Sequence, residues 1–193
     1  MAASMSSSGN PAGAGSGSAA SIHAALRRHT QPCHDRVDAA FGRFDLASRE
    51  GYGAFLTAHA RVLPPLERAL AQARLTDGWT GRAPLLAADL ASLGLPLPPA
   101  ADIDLPAGTG GPWGALYVVE GSRLGGAVLA RRVGARLPVA YLSAVHQPGG
   151  WKRIVAAIEG AASGPAWLDE AIAAANSVFA AFESAAREER MRG

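Results

Sequence analysis

The segment Leu116–Ala130 reads as an apolar helix, yet it carries glycines at 121, 125 and 126. Each glycine in a helix interior costs about 1 kcal/mol relative to alanine. Gly121 and Gly125 are four residues apart, so they fall on one face and leave it without side chains where the helix is easiest to bend. A flat ligand could lie against that face. The competing interpretation is close packing of a second helix against small residues.

A histidine that could bind a metal lies about ninety residues upstream. An apolar stripe at helical spacing is formed by Leu26, Thr30, Cys33, Val37 and Phe41. His34 lies at the border of this stripe, and a neutral imidazole there could bind a metal through one ring nitrogen. The alternative is a core histidine with its hydrogen bonds satisfied. His59 is the best rival ligand because its helix face is also apolar, whereas the others, His23, His29 and His146, are expected at the surface or in the core.

Both segments together resemble the haem oxygenases, and more narrowly the bacterial branch that makes bilin chromophore for phytochromes. The resemblance covers residues 26–182. It is strongest in the pattern Leu-Arg-x-x-Thr-x-x-x-His-x-x-x-Asp at 26–38 and in Leu-Tyr-Val-Val-Glu-Gly-Ser-Arg-Leu-Gly-Gly at 116–126. It implies an all-α, single-domain fold in which haem b lies between a proximal helix bearing the iron ligand His34 and a kinked distal helix. In that helix Gly121, Ser122 and Gly125 would be catalytic, and Gly126 would contact haem.

The resemblance also implies a reaction. Haem, as both substrate and cofactor, would be opened by O2 to biliverdin, carbon monoxide and ferrous iron, with electrons from a separate ferredoxin or reductase. A bacteriophytochrome would receive the product. Two alternatives stay open: a haem-binding carrier or sensor without turnover, and a helical interaction domain whose glycine face packs a partner helix.

Three further residues are candidates for haem binding at the pocket rim. Anionic propionates need cations there. By the resemblance Arg27 and Lys152 match basic family positions, although either could be an ordinary solvated charge. Tyr117 could add a hydroxyl. Ser122 departs from the animal enzymes, which carry an aspartate at this position; a serine hydroxyl can still donate and accept hydrogen bonds but supplies no charge.

Composition restricts the class of protein further. The chain has 193 residues, enough for one domain, and a formal charge of only +2. We find no basic block or aromatic-interleaved basic patch, which argues against nucleic-acid binding. The single cysteine, Cys33, excludes an intramolecular disulfide and suits a reducing compartment; packing is its expected role rather than thiolate ligation of iron. No run is apolar enough to span a bilayer, so we expect a cytoplasmic protein.

Residues 1–20, rich in Ala, Ser and Gly, are interpreted as a disordered leader without a secretory signal, followed by one helical domain over 21–193. A first helix is predicted over 21–43, kinked or restarted at Pro32. Ser48 is the predicted N-cap of a second helix, which Pro64-Pro65 should bend or end. Pro84 and Gly94 bracket a short third helix.

Three more helices are predicted, over 112–133, 148–160 and 164–190. The glycine-rich stretch 108–114 loosely resembles a dinucleotide loop, but no strand precedes it and Pro112 interrupts the glycine spacing. The sequence shows no zinc-type cysteine pairs, no His-Glu-x-x-His and no Walker loop.

Overall fold

Helices form all the regular structure in the computed structural model, which describes residues 21–103 and 105–192. These two ranges contain seven helices and no strand, as the all-α prediction requires. The helices are α1 (Ile22–Phe41), α2 (Arg49–Ala73), α3 (Ala83–Ser92), α4 (Gly111–Ala130), α5 (Ala140–Ser143), α6 (Gly150–Ala161) and α7 (Pro165–Arg192). The predicted leader, residues 1–20, lies outside the described residues.

Helix α1 is fixed at its N-terminus by one local and one distant side chain. The hydroxyl of Ser21 accepts a hydrogen bond from the backbone N–H of Ala24. The Glu159 carboxylate, on α6, accepts the N–H groups of Ile22 and His23 at 3.0 and 2.9 Å. Two exposed donors of the first turn are thus satisfied, and α1 is joined to α6. The helix continues through Pro32, so the predicted restart there is wrong.

The predicted signals at the ends of α2 and α3 are confirmed. Ser48 caps α2 by accepting the N–H of Gly51, and Pro84 lies in the first turn of α3. Gly94 adopts φ +65° just after α3 ends, which is the left-handed conformation that glycine tolerates.

Pro64-Pro65 does not end α2. The buried leucines on both sides of this pair, Leu63, Leu66 and Leu70, hold the two halves in the core.

Helix α7 lies at the centre of the fold and packs against α1, α2 and α4. Its buried residues include small ones, Ala171, Ala174 and Ala175, beside aromatic ones, Phe179 and Phe182. The small residues let α4 approach α7 at backbone distance. A Cβ at Gly114 of α4 would overlap the carbonyl oxygen of Ala171. Glycine at 114 is therefore needed for contact between the two backbones.

We expect Gly114→Ala to lower the free energy of unfolding by about 1–3 kcal/mol, because the added methyl group meets backbone that cannot move aside locally. Gly160→Ala on α6 is the control, since a Cβ there meets nothing within 4 Å. It should be neutral or stabilising by up to about 1 kcal/mol. Urea unfolding of both variants makes the comparison. Equal stability of the two would contradict the close α4–α7 contact.

Candidate functional site

A cavity of about 580 Å³ opens between α1 and α4, with α2, α5, α6 and α7 completing its lining. Its size lies in the range of small-molecule and cofactor sites. Six of the eight predicted site residues line it, namely Arg27, His34, Tyr117, Gly121, Ser122 and Gly125. Gly126 and Lys152 do not. Two segments far apart in sequence thus meet around one space.

His34 lies on the α1 wall with about half of its side chain exposed, at 51%. Its Nδ1 is 3.3 Å from Oδ2 of Asp38, one turn later, and its ring meets Phe179 of α7 edge-on with centroids 5.8 Å apart. A carboxylate beside one ring nitrogen is the usual partner of a metal-binding histidine, because it orients the ring and leaves the other nitrogen for the metal. Cys33 packs against the core beside Arg36 and does not line the cavity.

The three glycines of α4 meet three different environments, although the helix continues through all of them. A Cβ at Gly125 would meet nothing within 4 Å, so this position faces open space in the cavity. A Cβ at Gly121 would lie 3.7 Å from Cη2 of Trp151. At Gly126 it would lie only 2.5 Å from the carbonyl oxygen of Leu142. Gly126 therefore packs closely against α5 and does not line the cavity, and its contact with haem stays a prediction.

The hydroxyl of Ser122 is hydrogen-bonded to a positively charged side chain. The hydroxyl donates to the carbonyl of Val119 at 2.7 Å and accepts a hydrogen bond from Nη2 of Arg82 at 2.6 Å. The Arg82 side chain is buried, lines the cavity and also donates to the carbonyl of Val119. Its Nε finds no hydrogen-bond partner among the described residues. Ser122 and Arg82 thus form a polar corner of the cavity. Its guanidinium lies where the sequence predicted only an uncharged serine.

The backbone around Arg82 is fixed by a buried carboxylate. Both oxygens of Glu67 accept backbone N–H groups, from Arg82 and Ala83, each at 2.7 Å. A Cβ at Gly81 would overlap that carboxylate, so the glycine makes room for it. The guanidinium carbon lies 4.9 Å from the centre of the Tyr141 ring, within the range of a cation–π contact. Sequence reasoning missed Arg82 because its partner lies 40 positions away.

His59, the rival ligand, also lines the cavity but lies among aromatic rings. Its ring centroid is 4.4 Å from that of Phe41 and 4.3 Å from that of Phe55, and Nδ1 donates to the Phe55 carbonyl at 2.9 Å. Burial lowers the pKa of His59 to about 4, the hydrogen bond opposes that shift, and the Arg82 charge adds to it. The imidazole is therefore neutral near pH 7.

Two of the three predicted haem-binding side chains of the rim line the cavity. Arg27 is exposed there, and Tyr117 is partly buried. Burial raises the pKa of Tyr117, while Thr30 and Arg27 act in the opposite direction, so the phenol is protonated at neutral pH. Lys152 is exposed and follows the cavity-lining Trp151.

Comparison with known proteins shows the family. The chain is 36% identical to the heme oxygenase of Xanthomonas campestris pv. campestris (strain 8004), over 69% of this chain and 87% of that protein. This chain belongs to the haem oxygenase family.

The fold agrees with the sequence relationship. The structure is similar to a heme oxygenase from Neisseria meningitidis, solved in NO- and CO-bound forms, with a TM-score of 0.74. The match covers 89% of this chain and 92% of that one at 24% identity, so it supports the haem oxygenase fold. No family model matches the chain. Within the described ranges, no helix is long and apolar enough to cross a membrane.

The depressed pKa of His59 predicts a stability change with pH. The ordinary pKa of histidine is about 6.5, so between pH 6.5 and 4 the unfolded chain binds a proton that folded His59 does not. The contribution of neutral His59 to the free energy of unfolding is therefore complete above pH 6.5 and is lost as the pH falls toward 4. Urea unfolding of the haem-free wild type and of haem-free His59→Gln at several pH values measures this contribution. The pH dependence of the other groups cancels in the difference between the two proteins. The advantage of the wild type should shrink by on the order of 2 kcal/mol between pH 7.5 and 4.5. A constant difference would contradict the neutral, buried state of His59.

Proposed function

We propose that this member of the haem oxygenase family binds haem b in the cavity between α1 and α4 and opens it with O2 to biliverdin, carbon monoxide and ferrous iron. The observation that carries the proposal is the pairing of His34 on one wall with the bare backbone of Gly125 on another. An iron ligand and room for a small gas are the two requirements of the chemistry. Fold and sequence relationship supply its context.

The residues around the cavity fit a haem. Eleven of the 22 lining residues carry aliphatic or aromatic side chains, two are glycines and nine carry polar or charged groups, which suits a largely apolar ring with anionic propionates at one edge. A planar ring needs one wall without side chains, and α4 offers that wall at Gly125. When bound, haem supplies the iron that binds oxygen and is also the molecule that is oxidised. Its reactivity is set by the ligand and by the polarity of the opposite pocket.

His34 is the proposed iron ligand, through Nε2. Asp38 lies against Nδ1 and would accept a hydrogen bond from its N–H, which holds the imidazole in one orientation. Phe179 packs edge-on against the ring and limits its rotation. Arg27, exposed where it lines the cavity, is the proposed partner of a propionate; Lys152 and the hydroxyl of Tyr117 are proposed to complete that rim.

Ser122 and Arg82 are proposed to form the polar corner that holds water beside the oxygen site. The Ser122 hydroxyl already donates its hydrogen bond to the Val119 carbonyl, so its oxygen is left to act as an acceptor. The donors come from the guanidinium, which stays protonated in proteins and adds a positive charge. A serine supported by a cation thus replaces a carboxylate, and protons would reach the site through water held by these groups. Gly121 and Gly125 keep side chains out of the way.

We also propose that electrons come from a separate ferredoxin or reductase, that the product is delivered to a bacteriophytochrome, that the protein is cytoplasmic, and that α4 is kinked where it faces the ring. The alternative of a non-catalytic carrier or sensor differs from the proposal in turnover alone.

The proposal is tested with purified full-length protein in two steps. Haem titration should give a Soret band that saturates near one equivalent. Addition of a ferredoxin, its reductase, NADPH and oxygen should then replace that band with biliverdin absorption and release carbon monoxide. Stoichiometric binding without ring opening would favour the carrier or sensor. Absence of a Soret band would contradict a haem site altogether.

The ligand assignment predicts that His34→Ala loses the histidine-ligated haem spectrum and recovers part of it with added imidazole, which can enter the space left by the side chain. His59→Ala is the control and should leave the spectrum nearly intact. The measurement is the absorption spectrum of the ferric complex. If only the change at 59 altered ligation, the assignment would move to that residue.

The open α4 face predicts opposite effects of Gly125→Ala on activity and stability. The methyl group enters open space in the haem-free protein, so stability should stay equal or rise by up to about 1 kcal/mol. In the complex the same methyl group occupies the room needed for oxygen or water, so biliverdin yield should fall more than haem affinity. Ala127→Ser on the exposed side of α4 is the control. Unchanged yield with haem bound normally would show that this face has no catalytic role.

A further inference from the structure

Gly121 and Gly125 lie on the same α4 face, but only one of them is open. The six-membered ring of Trp151, from α6, lies across Gly121, with Cη2 at 3.7 Å and Cζ3 at 4.0 Å from the position of a Cβ. Nothing comparable lies over Gly125. Trp151 is itself a lining residue of the cavity. One end of the bare face is therefore closed by an indole, and the other is free.

The indole is held by aromatic rings from three other segments. His23 at the start of α1 meets it edge-on, with centroids 5.8 Å apart and planes at 73°. Tyr117 of α4 is 5.9 Å away, and His146, in the segment before α6, is 6.1 Å away. His23 and Tyr117 also line the cavity. Contacts of this geometry favour one orientation of a flat side chain.

His146 joins this aromatic group to the backbone of α4 immediately before Gly121. Its Nε2 donates to the carbonyl of Glu120 at 3.0 Å, and its Nδ1 lies 3.6 Å from the Glu120 carboxylate. Glu120 is 3% exposed, and its carboxylate accepts hydrogen bonds from Nε1 of Trp79 and from Nε of Arg123, each at 3.0 Å.

Arg123 extends the same group of contacts in two directions. It donates to the carbonyl of Thr80 at 2.7 Å and to the carbonyl of Ala144 at 3.2 Å. The segment that leads to Trp151 and the helix that bears Gly121 are thus tied together by buried polar contacts. These contacts fix the relative position of the two segments before any ligand enters, because the polar groups find their hydrogen-bond partners within the protein.

A rigid indole at one end of the cavity limits how a planar ring can slide or rotate in its own plane. Sites that are well packed tolerate little added or displaced volume. Contact with Trp151 would therefore set the in-plane position of the ring. That position decides which edge of the ring comes to lie at the open Gly125 face.

We propose that Trp151 is a specificity-determining residue: held by the Glu120–His146 contacts, its indole fixes the seating of the tetrapyrrole and thereby selects the meso carbon that is oxidised. This inference rests on the proposed function. It assigns the choice of carbon to a wall residue on α6, while Gly125 provides the room for oxygen.

The test compares Trp151→Ala and Trp151→Phe with wild type, and uses Ile154→Ala as the matched control. Ile154 lies one turn further along α6, is partly buried and does not line the cavity. Proton NMR of the ferric cyanide complex reports the in-plane seating through the haem methyl shifts and needs no turnover. Chromatography of the biliverdin isomers reports the carbon that is attacked.

Wild type and Ile154→Ala should show one set of haem methyl signals and the same dominant isomer. Trp151→Ala should show a second set and raise the ratio of minor to dominant isomer by roughly fivefold, the change given by 1 kcal/mol between two seatings. Trp151→Phe should be intermediate. His146→Ala should shift the seating in the same direction, because it removes the imidazole that packs against the indole and donates to the Glu120 carbonyl.

An unchanged methyl pattern and an unchanged isomer ratio in both Trp151 variants, with haem bound, would overturn the inference. A wild type that forms no biliverdin would instead contradict the proposed function, and the NMR comparison would still test the role of Trp151. The phenylalanine variant keeps an aromatic ring at 151, so the comparison survives if the alanine variant does not fold.

Discussion

The contact between helix backbones along α4 is the constraint on which the site depends. Near its start, Gly114 lies against the Ala171 carbonyl of α7, and near its end Gly126 lies against the Leu142 carbonyl of α5. These two contacts leave no room for a side chain and so fix the rotation of α4 about its axis. The rotation in turn decides that Gly125 faces the cavity. Glycines on one helix thus serve two purposes, close packing on one side and an open wall on another.

The charge distribution around the cavity follows from which groups are already satisfied inside the protein. Glu67 gives both oxygens to backbone N–H groups at the start of α3, and Glu120 is occupied by Trp79 and Arg123. The guanidinium of Arg82 has no carboxylate oxygen within 4 Å among the described residues and instead meets a serine, a carbonyl and the face of Tyr141. A buried cation without a close counter-ion is costly. Its guanidinium lines the cavity beside Gly121 and Gly125, which is the basis of the role proposed for Arg82.

Local signals in the sequence predicted much of this architecture. The features that depend on contacts between distant residues were not predicted. The caps at Ser48 and Gly94 depend only on nearby backbone geometry, and the helical stripe that led to His34 is a property of one helix. By contrast, nothing in the sequence distinguishes Gly125 from Gly126. Gly125 faces the cavity and Gly126 packs against α5, a helix that the sequence did not predict. Arg82 reaches Ser122 across 40 positions, so no local pattern could reveal it. Pro64-Pro65 shows the reverse case, where core packing overrides a strong local signal to end a helix.

The central claim is that haem binds between α1 and α4 with His34 as its ligand, and a crystal structure of the ferric haem complex tests it most directly. We expect the iron to lie at bonding distance from Nε2 of His34, with Asp38 against Nδ1 and the backbone at Gly125 over the other face of the ring. Iron bound to His59 or His23, or a haem lying outside this cavity, would contradict the account.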